Sequence, residues 1–160
     1  TASAIPSQPL PAGGEGFTIK RTYYRLDGSE ANVSEAKQNE RYVVVLNVVS
    51  LNDWGARILI NDLLPAGFEI ENPDLTQGGG VGDLSWLNVS TPAHVESRTD
   101  QYVAAFRYVS DVVPFSTAYM VRAVTPGTFV LPGATVEDMY RPELRGNTDA
   151  GSIEVTKTGP

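Results

Sequence analysis

The chain has 160 residues, 41% of them hydrophobic, and carries 12 Lys and Arg against 19 Asp and Glu for a formal charge of −7. At this length a single domain buries roughly 68–70% of its unfolded surface, enough for one well-packed core. The acidic balance repels phosphate backbones and sets nucleic acid aside as a partner, while the absence of cysteine excludes disulfides, thiolate metal sites, cysteine nucleophiles and redox motifs together.

Residues 1–14 contain Pro6, Pro9, Pro11, Gly13 and Gly14, which interrupt both helices and strand ladders, so they read as a linker or extended N-terminal arm. Residues 15–160 then form one domain. The start, Thr1-Ala2-Ser3, lacks the basic residues and apolar stretch of a signal peptide, and the expectation is a fragment whose address lies upstream. From Phe17 onward β-branched and aromatic clusters recur between turn residues, with no sustained helical spacing of apolar residues. The expected strands are 17–25, 41–51, 57–64, 67–71, 93–97, 101–108 and 118–124, a pair around 128–130 and 134–138, and 152–156, about nine in all. Phe68 and Ile70 alternate with Glu69 and Glu71, and Ile153 and Val155 with Ser152, Glu154 and Thr156, so each of these strands has one core face and one wet face. Tyr42-Val43-Val44-Val45-Leu46 does not alternate, as expected of a central strand covered on both sides. The longest apolar run, Tyr42 to Val49, is interrupted by Asn47 and falls far short of the ~20 residues that cross a bilayer as a helix.

Turn signals fall at Asp27-Gly28, Asn52-Asp53, Pro65-Ala66-Gly67, Pro126-Gly127 and Pro132-Gly133. Short strands so punctuated predict an all-β fold, a two-sheet antiparallel β-sandwich with little helix. The stretch from Asn72 to Pro92, which contains Gly78 to Gly82, is the longest irregular connection.

Catalytic constellations are lacking. The one histidine, His94, has no Gly-x-Ser-x-Gly elbow to serve and reads as a partly exposed strand residue. Oxygen ligands alone are left for a metal, and no calcium-loop spacing organises them. The glycine cluster is followed by Asp83-Leu84 rather than the Lys-Ser/Thr of a phosphate-binding loop. Glu137 and Asp138 are adjacent, hence on opposite faces if extended, and read as solvated charges at a strand end rather than as an acid/base pair. No cofactor and no enzymatic activity are expected. Asn32-Val33-Ser34 and Asn88-Val89-Ser90 match glycosylation acceptors, a pattern that matters in a eukaryotic host alone.

Met139-Tyr140-Arg141-Pro142 stands out, because it occupies a position where a solvated loop ordinarily carries small polar residues. A large aromatic beside a pliable thioether suits docking onto another surface, and Pro142 favours an extended Arg141. The same residues could equally close the bottom of the domain's own core, and the residues by themselves leave both readings open.

The run from Tyr119 to Pro132, the segment Val136-Glu137-Asp138-Met139-Tyr140-Arg141-Pro142-Glu143 and the approach Asn61 to Pro73 resemble the last domain of bacterial alpha-2-macroglobulins, the counterpart of the eukaryotic receptor-binding domain. The likeness runs from about Gly16 to Thr156. It implies a macroglobulin-like or immunoglobulin-like sandwich within a periplasmic protease inhibitor, in some members anchored to a membrane through an N-terminal lipid. Such proteins entrap proteases after a bait segment is cut and capture them through a thioester carried by another domain. The implied partners are the thioester domain of the same parent chain, target proteases met by the full-length protein and, as suspected for some members, a cell-wall synthase. Met139 and Tyr140 are the implied shield of the thioester, with Asp138, Arg141 and Pro142 around them. An alternative of a different class is a free-standing adhesion or carbohydrate-binding module with Trp54, Trp86 and Tyr102 as stacking surfaces.

Overall fold

In the computed structural model the described residues are 13–32, 34–50, 56–72, 94–109, 115–141 and 143–157. They contain thirteen strands: β1 (Gly13–Glu15), β2 (Phe17–Tyr24), β3 (Glu35–Lys37), β4 (Arg41–Ser50), β5 (Ala56–Leu63), β6 (Phe68–Asn72), β7 (His94–Arg98), β8 (Gln101–Val109), β9 (Phe115–Ala123), β10 (Gly127–Leu131), β11 (Thr135–Asp138), β12 (Arg145–Asn147) and β13 (Gly151–Thr156). No helix occurs among the described residues. The expected strands are all present within a few residues of their predicted ends. Three more, β1, β3 and β12, join the ten expected spans to make thirteen. Gly13 and Gly14, expected in the arm, pair with Asn147 and Gly146 instead.

Hydrogen bonding sorts the strands into a six-stranded sheet in the order β1-β12-β11-β5-β8-β7, a four-stranded sheet β2-β4-β9-β6, and a three-stranded ladder β10-β13-β3. The pairings are antiparallel except for β13 with β3, which run parallel. All three contribute to one core: Ile58 and Ile60 of β5, Tyr102 and Phe106 of β8, Tyr42, Val44 and Leu46 of β4, Tyr119 of β9 and Ile153 of β13 belong to a single buried cluster. The unalternating run in β4 has the predicted cause. Its strand lies between β2 and β9, and Val43 and Val45 pack with Ala118 and Met120 in a second buried cluster on the opposite face.

A polar group crosses this apolar interior. The guanidinium of Arg21 on β2 pairs with the fully buried Asp62 of β5, donates to the Pro132 carbonyl at 2.7 Å and lies 5.9 Å from the Tyr23 ring centroid. The other carboxylate oxygen of Asp62 accepts from the Tyr119 hydroxyl at 2.5 Å. Tyr119 stacks on Tyr102 at 4.2 Å between centroids, and the Tyr102 hydroxyl shares a 2.7 Å hydrogen bond with Thr117. The constellation thus joins the four-stranded sheet, the six-stranded sheet and the connection between β10 and β11. It also removes Tyr102 from the carbohydrate-stacking set: its register on β8 turns the ring into the core, where no sugar reaches it.

Burial pushes the Asp62 carboxyl up, against the pull of Arg21 and Tyr119. Burial also raises the Tyr23 and Tyr119 phenols, with Asp62 adding to both. In the unfolded chain each phenol ionises near pH 10. The folded chain holds these protons to higher pH, so above about pH 10 the unfolded state binds fewer protons and stability must fall. Each buried phenol contributes about 1.4 kcal/mol per pH unit to that loss until its folded value is reached. Urea unfolding followed from pH 8 to 11 should therefore show a decline that starts near pH 10 and softens in Tyr23→Phe. In addition, Asp62→Ala leaves Arg21 buried without its counter-ion and should cost about 3–5 kcal/mol. The urea midpoint checks this, with Glu69→Ala on the exposed face of β6 expected to leave it in place.

Candidate functional site

The hairpin from β11 to β12 begins where a strand runs out of core. Val136 and Asp138 take the inward positions of β11 and Thr135 and Glu137 the outward ones, so the two acidic residues point to opposite faces as predicted. The expectation that both are solvated fails for Asp138, which is 0% exposed. Strand register explains this: Asp138 is the Cα partner of Ile58 on β5, and that position faces inward.

A buried carboxylate needs donors, and the tip of the hairpin supplies them. One oxygen of Asp138 accepts the Tyr140 amide at 2.9 Å and the other accepts Nε of Arg141 at 3.1 Å. The Asp138 carbonyl takes the Arg141 amide at 3.2 Å, its amide donates to the Leu144 carbonyl at 3.0 Å, and the Leu144 amide donates to the Arg141 carbonyl at 2.9 Å. Among the described residues no buried side-chain nitrogen or oxygen is left without a hydrogen bond. Farther along, β12 passes close to β2: a Cβ on Gly146 would stand 2.7 Å from the Phe17 carbonyl oxygen, so glycine there lets the returning strand lie against its neighbour.

Held in this way, Met139 and Tyr140 point outward, 51% and 69% exposed. The sequence left open whether they close their own core, and the structure answers that they do not. Leu63 and Val130 are also exposed large hydrophobics, but neither has another one next to it in the sequence, whereas Met139 and Tyr140 are adjacent. On the β5 side the Met139 amide donates to the Arg57 carbonyl at 2.8 Å, which extends the ladder by one rung, and the Arg57 guanidinium carbon lies 5.6 Å from the Tyr140 ring centroid. Arg57 was absent from the sequence-derived set. Nothing in local spacing pairs it with Tyr140, since the two meet only through the β5–β11 register.

The remaining candidates separate. His94 is exposed on β7, as expected of a strand residue. Pro142, Trp54, Trp86, the Gly78 to Gly82 cluster and Asn88 lie outside the described residues. A cleft of about 430 Å³ beside the ends of β2, β4 and β9 is lined by Arg25, Arg41 and Arg122 together with Asp27 and Glu40. Its acidic members are engaged locally, Asp27 by the amide and hydroxyl of Ser29 and Glu40 by the Tyr42 hydroxyl at 2.6 Å. Among the described residues no three histidine or acidic side chains converge as a metal site. What the hairpin offers chemically is a presented apolar surface with a fixed backbone.

Comparison with known proteins places this surface in context. The family described as the bacterial alpha-2-macroglobulin MG10 domain matches residues 16–143. The chain belongs to that family. An alpha-2-macroglobulin of Xylella fastidiosa is 32% identical over 166 residues, which covers 99% of this chain and 10% of the relative. The crystal structure of native Escherichia coli alpha-2-macroglobulin from domain MG7 to the C-terminus superposes with a TM-score of 0.83 at 30% identity, over 94% of this chain and 25% of that one. Salmonella alpha-2-macroglobulin reacted with methylamine gives a TM-score of 0.80 at 34% identity, over 94% of this chain and 10% of that one. The MG10 chain thus spans about a tenth of the length of the curated relatives it matches.

If Asp138 sets the tip, Asp138→Ala should cost about 1–3 kcal/mol through lost hydrogen bonds and release the Tyr140 amide, which hydrogen exchange would record as faster exchange at that position. Asp138→Asn retains an acceptor for the Tyr140 amide and should lose less.

Proposed function

We propose that this MG10 domain acts as a lid: Met139 and Tyr140 dock onto the thioester domain of the same parent chain and keep water and amines from the thioester of a protease trap. The observation that carries this reading is the contrast between a fully buried Asp138 and the two adjacent exposed hydrophobics it orients. An oily tip that merely dangled would lose conformational freedom on docking; one whose amide is already hydrogen-bonded has less to lose.

The chemistry fits the role. A thioester persists where nucleophiles are excluded, and burying an aromatic side chain contributes roughly 1.5–3 kcal/mol while filling the opening. The reaction of the Salmonella relative with methylamine supports an amine-sensitive electrophile in proteins of this kind. A lid held by a few kcal/mol can be displaced by a conformational change elsewhere, because an energy shift of that size moves a two-state equilibrium by orders of magnitude. Cleavage of a bait segment by the attacking protease is that trigger in this reading. The domain itself catalyses nothing. The full-length protein inhibits proteases in the periplasm, held in place by a lipid where one is attached, with a cell-wall synthase as a further partner.

In the full-length protein, Tyr140→Ala should raise the rate at which methylamine consumes the thioester before any protease is added, by about ten- to a hundredfold if the aromatic contributes the burial energy above. Free-thiol release after amine treatment measures it, and an unchanged rate would refute the lid.

A further inference from the structure

We infer that Arg57 is a positioning residue for Tyr140, setting the ring in the orientation in which the tip docks; this rests on the lid reading. Three observations converge on it. The guanidinium carbon of Arg57 lies 5.6 Å from the Tyr140 ring centroid, within the range of a cation–π contact. The carbonyl of the same residue accepts the Met139 amide at 2.8 Å, so one residue touches both members of the exposed pair, by backbone to the first and by side chain to the second. The β5–β8 register shifts between Ala56 and Ile58, which puts Arg57 at a strand irregularity, a feature that re-aims a side chain from its regular direction.

Charge makes the assignment more specific. Among the described residues Arg57 forms no ion pair, although the chain is acidic overall, so the aromatic face is the partner its guanidinium has. Arg141, the other arginine of the tip, is engaged by Asp138. Asp138 therefore fixes the backbone of the tip and Arg57 fixes the ring. One face of the ring belongs to the guanidinium, which leaves the opposite face, the ring edge and the Met139 thioether to meet a neighbour. A planar guanidinium stacks where an ammonium cannot, so lysine is an incomplete substitute.

The test is a double-mutant cycle in the full-length protein, read as methylamine consumption of the thioester. Arg57→Ala should raise the rate by about two- to fivefold, the factor that an exposed cation–π contact carries. Arg57→Lys should recover part of that rise. In a Tyr140→Leu background Arg57→Ala should have no further effect, and its thermal midpoint should match the parent's, since Arg57 is exposed. An effect of Arg57→Ala that persists undiminished in the Tyr140→Leu background, or no effect where Tyr140→Ala has a large one, overturns the role of Arg57 and leaves the lid intact. No response to Tyr140→Ala overturns both.

Discussion

The carboxylate of Asp138 is the point at which the interior of this domain governs its surface. It sits at the end of β11 in an inward-facing position, where an ordinary strand would place an apolar side chain. Burying that charge is tolerable because the next residues of the chain return to bond it. The same bonds that satisfy Asp138 dictate the path of residues 139–141. An acid in the core and an aromatic in the solvent are therefore two consequences of one interaction.

The frame that carries this hairpin is held by a second buried charge. Arg21, Asp62 and Tyr119 link strands of the two larger sheets, and the Arg21 bond to the Pro132 carbonyl fixes the approach to β11. Networks of this kind tie register to polar satisfaction, because a slipped strand would strand a charge in an apolar core. That register places Asp138 beside Ile58 and brings Arg57 to the tip. The geometry of the exposed surface thus derives from buried polar groups, Asp138 at its base and the Arg21–Asp62 pair in the sheets that carry it.

Much of the scaffold was legible in the sequence because its signals are local. Alternation in Phe68–Glu71 and Ile153–Val155, the unbroken apolar run in β4 and the Pro/Gly turns each depend on neighbours within a few residues. The strands β1, β3 and β12 escaped notice because three residues carry no period, and Gly13, Gly14 and Gly146 carry no strand preference. The tip was legible as an anomaly, two large hydrophobics after two acids, but its organisation was not. Asp138 reads as solvated when Glu137 is beside it, and its burial follows from a pairing with a strand far away in sequence. Tyr102 likewise reads as a free aromatic until the register of β8 turns it inward. Arg57 is invisible to any local reading, since its relation to Tyr140 exists only across the β5–β11 ladder.

A domain can control chemistry by deciding what its neighbour exposes, and that is the role proposed for this one. In this account the MG10 fold contributes a rigid platform, Asp138 and Arg57 contribute orientation, and Met139 and Tyr140 contribute coverage. The most direct test is hydroxyl-radical footprinting of Met139 and Tyr140 in the full-length protein, before and after cleavage by a protease. Both residues should be strongly protected in the native protein and should lose that protection after cleavage; equal, high oxidation in the two states would mean that the tip never docks.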